Sequence, residues 1–197
     1  MTTNTRRAAT RQKLYDAAVT LIAEQGYSAT TVDEIADRAG VAKGTVYYNF
    51  ASKAELFEEL LKHGVDLLTE RLRSAAEGRR DVEALDAMIR AGLEFIARYP
   101  AFAQLFVAEV WRTNRAWQQT LALVRGQAVS VVVGVLEQSV RDGAFSEELD
   151  VALTASAIFG MVLVAALDWL AFQPERSLDD VHAALSLLVR GRVAAGS

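Results

Sequence analysis

The sequence predicts an all-α protein, with a small N-terminal three-helix bundle carrying a helix-turn-helix and a larger C-terminal helical domain, roughly nine helices together. Three observations carry this expectation. Apolar residues recur at helical spacing almost throughout, and no stretch alternates strictly between apolar and polar residues with turn residues at its ends. The 197 residues include 2 prolines, so long helices run uninterrupted. Glycines stand where periodic stretches stop, at Gly26, Gly40 and Gly143, as helix C-caps do. At 52% hydrophobic and 23% charged, the chain is far from a disordered composition and long enough to bury a real core.

The elements follow in order. The first helix carries Leu14, Ala17, Ala18, Leu21 and Ile22 on one stripe and stops at Gly26. The second places Val32, Ile35, Ala36 and Ala39 at i, i+3, i+4 and i+7, a single buried face. Thr31 and Glu34 form a capping box at its start, and Gly40 closes it. Residues 43–50 hold only about two turns. A second capping box, Ser52 with Glu55, opens a long helix bearing Leu56, Phe57, Leu60, Leu61, Leu67, Leu68 and Leu72, which ends in the charged loop 77–80. Helices are then expected over 81–99, 100–113, 116–141, 150–172 and 177–192. Asp81, Asp150 and Ser177 suit N-caps, and Pro100 suits a first turn.

Charge is unevenly placed. Residues 1–53 carry seven Lys/Arg against five Asp/Glu, while the remainder carries fourteen against twenty, so +2 faces −6. Basic groups gathered at one end are compatible with nucleic-acid binding in spite of an overall charge of −4. The absence of cysteine excludes a disulfide framework, a thiolate metal site and a cysteine nucleophile, and fits a reducing cytoplasm. The polar N-terminus lacks the apolar core of a secretion signal. Residues 151–167 are uncharged and approach the length of a bilayer span. Their Ala, Ser, Thr and Gly content and acidic flank, with no bordering Lys/Arg cluster, favour a helix covered by protein.

Two short helices joined by a turn around Gly40 match a helix-turn-helix, whose second helix enters the major groove. A helical hairpin inside an ordinary bundle has the same spacing. The second helix tips the balance, because Lys43, Thr45, Tyr47, Tyr48 and Asn49 are mostly groups that reach bases or phosphates. Gly44 there costs about 1 kcal/mol of helix propensity that a purely structural helix would avoid.

Gly26-Tyr-Ser-Ala-Thr-Thr-Val-Asp-Glu-Ile-Ala36, Gly40-Val-Ala-Lys-Gly-Thr-Val-Tyr-Tyr-Asn-Phe50 and Ser52-Lys-Ala-Glu-Leu-Phe57 together resemble the TetR family of bacterial regulators. The resemblance covers about a quarter of the chain. It implies that Thr31, Lys43, Thr45, Tyr47, Tyr48 and Lys53 occupy DNA-contacting positions, that Gly44 permits close approach, and that Val32, Ile35, Ala36, Val46 and Phe50 are core. It further implies a DNA-binding domain over 1–53 and a ligand-binding and dimerisation domain over 54–197. Two departures stand out. Ala42 replaces the usual capping residue, and Asn49 stands where His or Tyr is commoner, retaining phosphate contact but not a transferable base preference.

In the second domain, Phe95, Phe106, Glu109, Trp117 and Phe159 are the expected ligand pocket, an apolar cavity with one carboxylate. It suits a mainly apolar organic inducer, with the carboxylate tolerating a cationic one. Each aromatic is also an ordinary core residue by spacing, and Glu109 and Asp168 are also surface or interface carboxylates by spacing. Gly64 marks a candidate pivot in the long helix. Leu178, Val181, Leu185 and Leu188 repeat as a seam, and Ala152, Ser156 and Gly160 stand four apart on the preceding helix; together they are the expected homodimer interface. The function so implied is a cytoplasmic repressor, released from a palindromic double-stranded operator by a small molecule. An activator of the same family and a helical adaptor that does not bind DNA remain the alternatives. No cofactor, metal or enzymatic role is expected, because His63 and His182 are the only histidines and no phosphate loop or nucleophile elbow is present.

Overall fold

The computed structural model describes residues 3–110 and 115–193, with side chains described for 6–108 and 119–191. Among the described residues all regular elements are helices: α1 (Thr3–Gln25), α2 (Val32–Ala39), α3 (Lys43–Asn49), α4 (Lys53–Ala76), α5 (Asp81–Arg98), α6 (Pro100–Val110), α7 (Arg115–Arg141), α8 (Val151–Phe172) and α9 (Leu178–Val193). They form two compact units, one of residues 1–64 with 104–121, the other of 65–103 with 122–197.

In the first unit, the α1 stripe buries Leu14, Ala18 and Ile22 with Ile35 and Ala36 of α2, Val46 of α3, Phe50, and Leu56, Phe57 and Leu61 of α4. Each such large side chain contributes about 1.5–3 kcal/mol through burial. The ends of α2 are set locally. Thr31 accepts from the Glu34 amide at 3.2 Å, and the Glu34 carboxylate accepts from the Thr31 amide at 2.8 Å, completing the capping box. Gly40 takes φ 66° and ψ 37°, a left-handed conformation that glycine adopts without a Cβ penalty. At α4, Ser52 accepts from the Glu55 amide at 3.1 Å. The Glu55 carboxylate reaches the Ala51 amide at 2.6 Å, one residue before the partner a capping box would give it.

In the second unit, α5 packs against α8 and α9. A Cβ on Gly92 would lie 3.0 Å from a methyl of Val162, so glycine here lets α5 and α8 approach closely. On α9, Val181, Leu185, Ser186 and Val189 are buried. His182, Ser186 and Arg190, four apart on one stripe, converge on Asp86 of α5. The Ser186 hydroxyl donates to its carboxylate, His182 Nε2 lies 3.1 Å from its backbone carbonyl, and Arg190 Nη2 lies 3.5 Å from Oδ2. Arg90 extends the same junction to Asp179 at 2.7 Å. Asp150 caps α8 by accepting from the Leu153 amide at 2.9 Å, and Ser177 with Asp180 caps α9. Asp81 is not the N-cap the sequence predicts. It is the first helical residue, at φ 50°, outside the extended conformation a cap requires, and Arg80 precedes it with no side-chain cap.

Because one partly buried carboxylate accepts from Ser186 and faces His182 and Arg190 at 3.5 Å each, Asp86→Ala should lower unfolding stability by about 1–3 kcal/mol. Ser186→Ala should cost less, since Asp86 keeps its other partners. Thermal unfolding of the two variants checks the order, and an equal cost would mean that Ser186 alone holds α9 in place.

Candidate nucleic-acid interface

Helix α3 has seven residues and no side-chain cap at Ala42, so its own hydrogen bonds cannot hold it. It is held from one side by Val46 and Phe50. The Phe50 ring lies 5.7 Å from that of Tyr15, and the Arg11 guanidinium sits 4.6 Å above it. Arg11 also donates to the Tyr15 hydroxyl at 2.9 Å and pairs with Glu59 of α4 at 3.1 Å. Tyr15 stacks on His63, 5.0 Å away. The end of α3 is thereby fixed to α1 and α4.

The opposite side of α3 is open. Lys43, Gly44 and Tyr47 are exposed, Tyr48 is 76% exposed, and Thr45 is half-buried. A Cβ on Gly44 would meet no atom within 4 Å, so nothing among the described residues demands glycine there. Lys43 Nζ lies 2.7 Å from Oδ1 of Asp33 and 2.9 Å from Oδ2. That carboxylate holds the ammonium's pKa above the ordinary lysine value. Arg7 of α1 places its guanidinium 5.7 Å from the Tyr48 ring centre. Thr31 is exposed, with its hydroxyl engaged in the α2 cap. The amide and hydroxyl of Thr31 keep the Glu34 carboxyl below the usual carboxylate range.

Two expected contacts point elsewhere. Asn49 is 7% exposed and donates from Nδ2 to the Thr45 carbonyl at 2.8 Å, while its buried Oδ1 has no partner among the described residues. It lies on the Val46 and Phe50 side rather than the open side, because it stands three positions after Val46, nearly one helical turn. Lys53 directs Nζ to the carbonyls of Tyr27 and Thr30, each at 2.8 Å, and lies 4.3 Å from the Tyr27 ring centre. Its ammonium closes the α1–α2 loop onto the start of α4. Sequence reading places Arg7 among the basic residues near the N-terminus but misses its contact with Tyr48, and it misses Asp33; the local signal near the first was the four-residue spacing of Arg7, Arg11 and Tyr15.

The chain matches two family descriptions, "Bacterial regulatory proteins, tetR family" over residues 14–60 and "Tetracyclin repressor-like, C-terminal domain" over residues 78–191. It belongs to the TetR family of transcriptional regulators. Its relatives include the HTH-type transcriptional repressor KstR2 of Mycobacterium tuberculosis, 34% identical over 147 residues, 73% of this chain and 72% of that protein. The fatty acid metabolism regulator protein of Bacillus subtilis is 28% identical over 181 residues, 91% of this chain and 93% of that one. Among solved structures, the regulator FadR from Bacillus subtilis in complex with stearoyl-CoA aligns with a TM-score of 0.81 at 26% identity, covering 90% of this chain and 96% of that one. The TetR-type chain is thus a DNA-binding transcriptional regulator, with its helix-turn-helix inside the first matched segment.

The other expected sites are placed as follows. Phe95 is buried between Tyr99 and Phe102, with ring centres 5.1 and 5.9 Å away, as core of the second unit. Phe159 is half-buried in the same unit, and Phe106 is buried in the first. Glu109 and Trp117 lie outside the described side chains. A cleft of about 540 Å³ lies in the second unit among the end of α4, the loop after it and α7. Arg73, Glu77, Arg79 and Arg80 line it over Val131 and Val135. Phe95, Phe106 and Phe159 are not among its lining residues.

The seam expected to meet a second subunit divides. Val181 and Leu185 are buried within the chain, Leu185 to 6% exposure, because they face inward on the α9 stripe. Leu178 is half-buried. Leu188 is 59% exposed, and Leu187 beside it is exposed as well. On α8, Ala152 is exposed, Ser156 and Gly160 are half-buried, and Leu153, Val164 and Phe172 are exposed. A Cβ on Gly160 would meet nothing within 4 Å among the described residues.

If Lys53 acts through the loop carbonyls, Lys53→Met should destabilise the protein by about 1–3 kcal/mol. The salt dependence of DNA binding should stay unchanged. Thermal unfolding and DNA titration at several salt concentrations separate the roles. A shallower salt slope with an unchanged melting temperature would make Lys53 a phosphate contact instead.

Proposed function

We propose that this chain is a homodimeric repressor that binds a palindromic operator through α3 and is released by a long-chain acyl-CoA or a closely related acyl thioester. The open side of α3 carries the DNA part of the reading. Lys43, Tyr47 and Tyr48 stand exposed on a helix whose other side is fixed, the arrangement a major-groove helix requires. Residues 1–53 supply DNA recognition, with Gly44 allowing backbone approach and Thr31 and Thr45 at its margin. Residues 54–197 supply ligand binding and dimerisation. Regulation proceeds by binding, without catalysis, in the cytoplasm.

The ligand class rests on the relatives. One solved structure that aligns with nearly the whole chain is a complex with stearoyl-CoA, and a fatty acid metabolism regulator matches nearly the whole sequence. Helix α8 of the second unit is uncharged from Val151 to Leu167, apolar surface of the kind an acyl chain requires. Two helices, Gln119–Arg141 and Val151–Phe172, are long and apolar enough to cross a membrane by length and composition alone. In a family of DNA-binding regulators, a second subunit covering α8 and α9 accounts for that exposed apolar surface better than a bilayer.

The deciding experiment titrates the DNA flanking the chain's own gene with protein, then with stearoyl-CoA and free stearate. Operator binding should weaken on adding the thioester. Lys43→Ala and Tyr48→Ala should weaken it without unfolding. With about three phosphates neutralised per subunit, the log K against log salt slope of the dimer should be about −5. A slope near zero would remove the electrostatic basis for DNA binding. Retained binding at saturating thioester would leave the regulator but exclude this inducer.

The interface has its own test. Leu188→Glu should give folded monomers in sedimentation, because the charge falls on the exposed α8/α9 surface. Leu185→Glu, which the sequence alone recommends, should unfold the second unit instead by burying an unpaired charge. Folded Leu188→Glu dimers would place the interface off α9.

A further inference from the structure

We infer that Asp33 is an intramolecular stand-in for DNA phosphate, occupying Lys43 in the free protein and lowering the affinity of the regulator for DNA. The inference rests on the proposed role of Lys43 as a DNA contact. Both carboxylate oxygens lie within 2.9 Å of Nζ, so the carboxylate takes up to two of the three ammonium donors and offsets the charge that a phosphate would meet. The pair sits on the reading surface. Lys43 and Tyr47 are one turn apart on the same stripe of α3, both are exposed, and the Lys43 and Asp33 side chains keep 57% and 60% of their surface open.

Stability alone accounts for Asp33 but does not require its pairing with Lys43. Asp33 stands in the first turn of α2, where a carboxylate is favourable with no partner. An exposed ion pair adds little to folding because water and salt screen it. Toward a polyanion the same pair has a large consequence, since it cancels the one cation of α3 and leaves a carboxylate facing phosphates. Lys43 also titrates above the ordinary lysine value, the direction expected of an ammonium bound by a carboxylate and not yet by DNA. Specific interfaces use such repulsive elements to suppress unwanted binding, here to any DNA that offers only backbone charge.

The test is a double-mutant cycle on DNA binding, with Asp33→Asn, Lys43→Ala and the double variant titrated against operator and scrambled duplexes at several salt concentrations. Asp33→Asn should bind both duplexes about three- to tenfold more tightly and steepen the salt slope by up to about one per subunit. In the Lys43→Ala background the same substitution should give much less. Asp33→Glu, which keeps the charge, should stay near wild type, and equal melting temperatures exclude a folding effect. Weaker operator binding by Asp33→Asn with unchanged scrambled binding would overturn the inference and make Asp33 a base contact. An equal gain in both backgrounds would also overturn it, replacing a mask on Lys43 with general repulsion. If Lys43→Ala leaves all DNA binding unchanged, the assignment of Lys43 as a contact fails, and the inference fails with it.

Discussion

A seven-residue helix with no cap cannot exist alone, and the N-terminal unit is organised around that constraint. Val46 and Phe50 enter the core, and Arg11 ties Phe50, Tyr15 and Glu59 into one cluster joining α1, the end of α3 and α4. With the helix fixed from one side, any contact it makes with DNA falls on the other. That division explains why a residue as apolar as Tyr48 remains exposed, and why Gly44 survives where no described neighbour requires it. Rigidity of the support is part of recognition, because a misplaced reading helix loses base contacts before it loses phosphate contacts.

The same logic decides which parts are legible from residue order. The α2 capping box, its glycine stop and the buried face of Ile35 and Ala36 are local, so short-range spacing specifies them. Asn49 stands three positions after Val46, a spacing that places it on the covered side, and its polar amide is what suggests an exposed contact instead. Lys53 escapes sequence reading because its partners, the carbonyls of Tyr27 and Thr30, are more than twenty residues away and are brought near only by folding. Asp33 and Lys43 are ten residues apart on different helices, a distance at which no sequence rule pairs them. The ligand pocket is the least legible, since aromatic residues at helical spacing fit a core and a cavity equally, and Phe95 is core.

The terminal helices show a related ambiguity. Periodicity reveals that a helix face is covered but not by what. Val181 and Leu185 are covered by their own subunit, while Leu187 and Leu188, on the same helix, stay open among the described residues. The polar junction at Asp86 links the two faces, because the His182, Ser186 and Arg190 stripe sets the rotation of α9 against α5. Rotation of one face fixes rotation of the other. A partly buried polar cluster therefore biases which apolar residues a second subunit would meet, although none of its members need touch that subunit. Apolar packing alone would leave α9 freer to slip, since leucines at neighbouring positions fill similar space.

Release by a ligand places an upper limit on how tightly such a protein should hold DNA. Coupling between two sites is typically 1–3 kcal/mol, a factor of about 5 to 150, and the ligand can shift DNA occupancy by no more than that factor. The tighter the phosphate contacts alone hold a duplex, the less a coupling of this size can empty the operator. Groups that weaken DNA binding are therefore as much a part of the switch as groups that strengthen it, the role proposed above for Asp33 beside Lys43. The remaining requirement is a route for the coupling. Helix α4 belongs to both compact units, and its division between them falls at Gly64, a residue with weak helix propensity. A ligand bound among residues of the second unit needs only to favour one conformation of that shared helix to change the energy of DNA binding. The small size of the effect is then an advantage, because a few kcal/mol against a moderated affinity moves the population from bound to free.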